Sequence, residues 1–308
     1  MRIENNRKNF NDEEIDLRVL ISVLYKEKRL IIIAVIVSSL IAVFASLMLP
    51  NIYKSEALLA YSASTSGSQI SGSSGIGGLA SLAGINIGGL DQAARKNLIT
   101  IETLKSRKFF SDYLYEKVLL YLMATDSWDA NNNNIILDPD IYDSEKKIWI
   151  EYINNPNQIK PSVQESYNQF SSLININEDE LGGVINLSVE HKSPHIAKYW
   201  VDLMIESINI AMRKKDTDNS MEAINFLVSN LENTKQIVLR DAFSNLIEEQ
   251  TKMMMLANIS DEYALSIIDP AVVAETKSSP RRSLIVVLGS ILGFFFSILF
   301  VLMREYFY

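Results

Sequence analysis

The chain has 308 residues, a formal net charge of −8, two histidines and no cysteine. Disulfides and thiolate–metal sites are therefore excluded, and any exported part must be held by packing alone. Acidic residues are spread along the sequence with no basic face among them, which argues against nucleic acid as a partner.

Two uncharged apolar runs, 30–49 and 283–303, stand near opposite ends. At about 1.5 Å rise per helical residue, each reaches roughly 30 Å, the thickness of a bilayer's hydrocarbon core. Both are expected to span. A cleaved signal peptide is the competing reading of the first run, but an h-region is typically about 7 to 15 residues and no small-x-small site precedes Pro50. The sequence divides into an N-terminal arm 1–29, a first span 30–49, a large domain 50–282, a second span 283–303 and a tail 304–308. Arg18, Lys26, Lys28 and Arg29 precede the first span and only Lys54 follows closely, so the arm is expected in the cytoplasm and the large domain outside it. The second span reverses the local rule, with Lys277, Arg281 and Arg282 on its loop side against Arg304. Orientation then rests on the first span and on the length of the loop.

The large domain is long enough to bury a core of its own. It opens with Tyr53 to Tyr61, an apolar and aromatic stretch fit for one strand. Residues 62–89 are nearly all Ser, Gly, Ala and a few aliphatics. Gly75, Gly77 and Gly78 could cradle a phosphate, but no Lys-Ser or Lys-Thr follows them, so the stretch is expected to be a mobile loop with at most a helical turn at Leu79 to Ile85. From Asp91 the spacing of Leu98, Ile101, Leu104, Phe109, Leu114, Val118 and Tyr121 predicts one long or two short amphipathic helices. Asn131 to Asn134 and Asp138-Pro139 predict a surface loop, and a further apolar set follows around Ile148, Trp149 and Ile153. Pro161 suits the first turn of a helix carrying Val163, Tyr167, Phe170 and Leu173.

Ile174 to Glu190 alternates as a half-buried strand pair turning at Glu178 to Gly183. Ser193-Pro194 then provides an N-cap and a first-turn proline for a helix whose apolar face holds Ile196, Trp200, Leu203, Met204 and Ile208. His191 and His195 flank that corner. A metal would need a third ligand, and none is near in sequence. Past Lys214-Lys215, a second helix is expected over about 218–257, a rod of roughly 60 Å with a narrow apolar stripe. Met253 to Met255 near its end could form an adaptable surface, though ordinary helix packing explains them more simply. Tyr263 to Ile268 is a closing strand able to lie beside Tyr53 to Tyr61, and Pro270 and Pro280 mark an extended approach to the second span.

Catalytic chemistry has little support. No Gly-x-Ser-x-Gly setting exists, and Asp138, Asp140 and Asp143 read as a solvated loop before an acid–base pair. Gly289 and Gly293 make a small-xxx-small step, which allows close helix approach to another span of the same chain, a sister subunit or a partner. Glycine is also simply common in membrane helices.

The stretch DEEIDLRVLISVLYKEKRLIIIAVIV at Asp12 to Val37, the strand NIYKSEALL, and the closing IIDPAVVAETKSSPRRSLIVVLGSILG at Ile267 to Gly293 resemble the chain-length determinants of the Wzz type, the polysaccharide co-polymerases. The resemblance covers both ends and the middle only in outline. It implies an α+β fold with two transmembrane helices flanking a periplasmic domain, which has a membrane-proximal α/β base and a long projecting helix. It also implies a homo-oligomer in the inner membrane, with no cofactor and no reaction of its own. The partners it implies are a separate polysaccharide polymerase and the lipid-linked glycan, whose modal chain length, most often in O-antigen, the protein sets. One departure from the family pattern is the pre-span segment, which holds only Pro270 and Pro280. Two alternatives share the plan: an adaptor of a capsule or exopolysaccharide tyrosine kinase, for which no Walker motif is present, and a sensor of a periplasmic ligand.

Overall fold

A computed structural model describes residues 25–62, 89–152, 158–179 and 183–307. The Ser/Gly-rich stretch with its suggested turn at Leu79 to Ile85, most of the N-terminal arm, Ile153 and part of the Glu178 to Gly183 turn lie outside the described residues. The chain forms two compact units, one of residues 1–51 with 279–308 and one of residues 52–278.

Helix α1 (Lys28–Met48) is followed by the sheet unit. Strand β1 (Tyr53–Tyr61) buries Ser55, Ala57 and Leu59 on one face, the two-residue repeat of a pleated strand. The next region is helical: α2 (Gly89–Leu104), a short α3 (Arg107–Phe109), a π-turn (Phe110–Leu114) and α4 (Tyr115–Met123). Ser106 caps α3 by accepting the Phe109 amide at 3.1 Å. The π-turn accommodates the five-residue step from Phe109 to Leu114, both of which are buried.

The expected surface loop is present as exposed turns, and the flanking strands are what the sequence did not announce. Asn131 to Asn134 lies at the tip of a hairpin between β2 (Thr125–Asp129) and β3 (Asn134–Leu137), with Asn133 at positive φ. A second small hairpin pairs β4 (Tyr142–Asp143) with β5 (Ile148–Trp149), ahead of a 3-10 turn (Ile150–Tyr152). Helix α5 (Val163–Leu173) is capped by Ser162, which accepts the Glu165 amide, so Pro161 sits outside the first turn rather than in it.

Strands β6 (Ile174–Glu178) and β7 (Val184–His191) form the expected antiparallel pair. Helix α6 (Pro194–Asn233) starts at Ser193-Pro194 but does not stop before Lys214-Lys215. It runs on for 40 residues, roughly 60 Å. The break falls at residues 234–236, and α7 (Ile237–Ile259) returns along α6, so the long rod is 194–233 rather than 218–257. At the far end of the return, Arg213 donates to the Ser260 carbonyl at 3.3 Å. Strand β8 (Leu265–Asp269) closes a sheet of order β6-β7-β1-β8, antiparallel throughout, and pairs with β1 as expected. The N-terminal half of α6 lies on this sheet, with Trp200, Met204, Ile208 and Met212 fully buried against Leu59, Ile185 and Leu187.

Past β8 the chain is extended and runs back along β1. Ser55 donates to the Val272 carbonyl at 2.7 Å, and the Ser278 amide donates to the Ile52 carbonyl at 2.9 Å. Helix α8 (Arg282–Phe307) then packs on α1. The fold is thus α+β, with two helices long and apolar enough to cross a membrane and a long helix between them. Only 11% of the apolar window of each terminal helix is buried, which separates the pair from the core helices of a soluble protein.

Candidate functional site

In the terminal unit, α1 and α8 are antiparallel. Arg304 approaches Glu27 to 4.0 Å at one end, and Arg282 donates to Asn51 at 3.1 Å at the other. Between these ends lie Gly289 and Gly293. A Cβ added at Gly289 would meet the Ala42 Cβ at 2.5 Å, and one added at Gly293 would overlap the Ser38 hydroxyl and lie 2.5 Å from its Cβ. The surface facing both glycines is therefore the first span of the same chain. Ser38 and Ser297 are satisfied within their own helices, donating to Val35 at 3.0 Å and to Phe294 at 2.7 Å.

The two histidines separate in space and in role. His195 is exposed, its ring 6.1 Å from that of Trp128. His191 is buried against Trp200 at 4.9 Å between ring centroids. Its Nδ1 accepts the Ser193 amide at 3.0 Å, so Nε2 carries the proton and donates to the Tyr121 carbonyl at 3.1 Å. That carbonyl belongs to the last turn of α4, where acceptors lack helical partners. Gln169 serves Leu122 there at 3.0 Å, and Lys192 serves Thr125 at 2.7 Å. The strand–turn–helix corner thus braces a helix end. Among the described residues, no group of three His, Asp or Glu side chains could hold a metal.

Burial holds the His191 imidazole below its usual pKa, and Lys192 adds to the effect. Protonation would also place an N–H against the Ser193 amide. Because the folded pKa lies below the unfolded value of about 6.5, the unfolded state binds more protons, and stability is complete above that pH and lost as pH falls through it. We expect wild-type protein to lose thermal stability between pH 7 and 5 more steeply than His191→Phe. Parallel melting curves over that window would contradict the assignment.

The carboxylates between the small strands make turns. Asp138 accepts the Asp140 amide at 2.8 Å, and Asp143 accepts those of Glu145 and Lys146, which holds it below the usual carboxylate range. Met253 and Met255 are exposed on α7. Pro270 directly follows β8, and Pro280 forms a cis peptide with Ser279.

Sequence reasoning missed Asn209. It is buried on α6, accepts the Ala264 and Leu265 amides at 2.7 and 2.9 Å, and donates to the Leu265 carbonyl at 3.0 Å. A lone amide among Ile205, Ile208 and Met212 on one helix face was the available signal. A second network joins α2, α6 and the approach to β8. Lys96 pairs with Asp216 at 2.8 Å, and the Tyr263 hydroxyl donates to Asp216 at 2.7 Å, so burial and the neighbouring carboxylate push the phenol well above its usual pKa.

These features define a class: a chain with two span-length terminal helices around one α+β domain. Residues 13–116 match the family model described as chain length determinant protein, Wzz. Residues 235–306 match the one described as G-rich domain on putative tyrosine kinase, GNVR. Among solved structures the chain is similar to a full-length bacterial polysaccharide co-polymerase, at 13% identity over 95% of this chain and 97% of that one, with a TM-score of 0.37. It is also similar to a fragment of WzzB, polysaccharide co-polymerase from Salmonella Typhimurium, at 12% identity over 74% of this chain and all of that one, with a TM-score of 0.32. No curated protein matches. The resemblance to the Wzz-type chain-length determinants is therefore present in the family match, which takes in the first span and β1.

Proposed function

We propose that this chain regulates the modal length of a lipid-linked surface polysaccharide, O-antigen before others, as an oligomeric scaffold beside a separate polymerase in the inner membrane. The observation that carries the proposal is the Wzz match over 13–116 in a chain whose two spans enclose one folded domain. In this reading the 52–278 unit is periplasmic, its sheet is the base, and the helix pair α6–α7 is the projection. The chain makes and breaks no bond. The cations before α1 support this orientation, since lysine and arginine next to a span resist translocation.

Deleting the gene is expected to turn a clustered lipopolysaccharide ladder into a smoothly decaying one, and a plasmid copy to restore the cluster. A ladder unchanged by deletion would overturn the O-antigen assignment. The GNVR match over 235–306 favours a second reading, in which the chain serves as the membrane partner of a tyrosine kinase in capsule or exopolysaccharide synthesis. That reading expects an unchanged ladder together with loss of a membrane phosphotyrosine signal in the deletion strain.

A further inference from the structure

We propose that a groove between the π-turn region and the middle of α6 binds a saccharide bearing a carboxylate. The inference rests on the chain-length reading only for taking that saccharide to be part of the growing glycan. The groove has a volume of about 530 Å³, within the usual range of small-ligand sites of roughly 300 to 1,000 Å³. One wall carries Lys108, Asp112 and Tyr113, and the other carries Lys214, Lys215 and Asp218.

Three features point to a sugar. The first is an aromatic platform. Phe109 is buried and stacks on Tyr113 with ring centroids 5.6 Å apart and an interplanar angle of 27°. Tyr113 is only half-buried, so its ring is backed on one side and open on the other, a rigid surface of low entropy cost for the apolar face of a pyranose. The second is the π-turn that places it. The inserted residue keeps Phe109, Phe110, Leu114 and Tyr115 in the core while Asp112 and Tyr113 stay at the groove, and such bulges recur where a helix departs from regularity for function.

The third is a set of unused polar groups. Lys108 is satisfied by Asp112 at 2.8 Å, and the two cancel in charge. Lys214, Lys215 and Asp218 make no side-chain hydrogen bond or ion pair among the described residues. What remains is two cations against one carboxylate, a local excess of positive charge on a chain of net −8. An acidic sugar meets all three features: its carboxylate pairs with the lysines, its hydroxyls donate to Asp218, and its ring lies on Tyr113. Inorganic phosphate would use only the lysines, and a neutral sugar would leave them unpaired.

The test is calorimetric titration of the full chain in detergent micelles with a galacturonate tetramer, maltotetraose and inorganic phosphate. The galacturonate tetramer is expected to bind more tightly than the other two and to weaken as salt is raised. Lys214→Glu with Lys215→Glu is expected to abolish binding, and Tyr113→Ala to weaken it about tenfold. Both lysines are exposed, so their reversal leaves the fold in place even if Tyr113→Ala disturbs it. Equal binding of maltotetraose, equal binding of phosphate, binding that survives the charge reversal, or no binding of the galacturonate tetramer would each overturn the proposal. The lipopolysaccharide ladder is scored separately. A ladder that responds to deletion while the titration is silent sinks the groove alone, whereas a ladder indifferent to deletion sinks the O-antigen assignment and leaves a measured affinity standing.

Discussion

Replacing Asn209 by leucine is expected to lower the melting temperature of the sheet domain by on the order of 10 °C, the shift that roughly 3–5 kcal/mol produces in a domain of this size. The two side chains share the same branched arrangement of four heavy atoms and leucine is the larger, so no cavity opens. The cost comes from three stranded backbone groups: the amides of Ala264 and Leu265 and the carbonyl of Leu265, all now paired with one carboxamide. Each unpaired buried group forfeits about 1–3 kcal/mol. Asn209 is what fixes the start of β8 to α6, and β8 pairs with β1, so the loss would spread into the sheet. Trp128, Trp149 and Trp200 all lie in this domain, so intrinsic fluorescence follows its unfolding. Asn209→Asp keeps the shared acceptor but turns an oxygen toward the Leu265 carbonyl and buries a charge, so it too should melt early at pH 7. A leucine variant melting with the wild type would show that water or a relaxed strand end replaces the amide.

What could be read from the sequence depended on how far each element's pattern is set locally. Strands β6 and β7 alternate along their own length and their pairing followed from that alternation, β1 and β8 read as apolar strands able to lie side by side, and the pairing of β1 with β7 that joins the two halves had no local mark. The hairpins β2–β3 and β4–β5 did not announce themselves. Their strands have two to five residues, and their Asn- and Asp-rich tips dominate the local composition. In the long helix, two charges at Lys214-Lys215 resembled a boundary, yet lysine is a good helix former and the helix passes through. The real break at 234–236 contains neither glycine nor proline and accompanies the return of α7 along α6, a tertiary event without a local mark. The five-residue step from Phe109 to Leu114 departs from the period of the amphipathic helices that the surrounding residues predict, and the π-turn that absorbs it was not expected from the sequence. The groove was out of reach for the same reason as the break: Tyr113 and Lys214 meet only after α2–α4 packs on α6. Likewise the small-xxx-small step named Gly289 and Gly293, but the choice among possible partners needed the packed pair to show Ser38 and Ala42 opposite them.

Gly289→Leu with Gly293→Leu is expected to force the two spans apart. Even a single methyl at Gly293 collides with both Oγ and Cβ of Ser38, and the Cβ cannot rotate away. Overpacking of this kind costs about 1–3 kcal/mol at each position. In a bilayer, close packing supplies much of the attraction between helices, because lipid tails already solvate the apolar side chains. The absence of cysteine gives a clean readout. Cysteines placed at Glu27 and Arg304, whose side chains approach to 4.0 Å, should join rapidly through a short bismaleimide in the parent chain and at least several-fold more slowly in the double leucine variant. Gly293→Ala alone should slow the reaction less, and Ser38→Gly should restore it, because that change removes both atoms the new methyl meets. If the span pair is also the unit through which chain length is set, the leucine variant should lose the clustered ladder and the Ser38→Gly, Gly293→Ala pair should keep it. Undiminished cross-linking in the double leucine variant would mean that the spans are held together by something other than the glycine contacts.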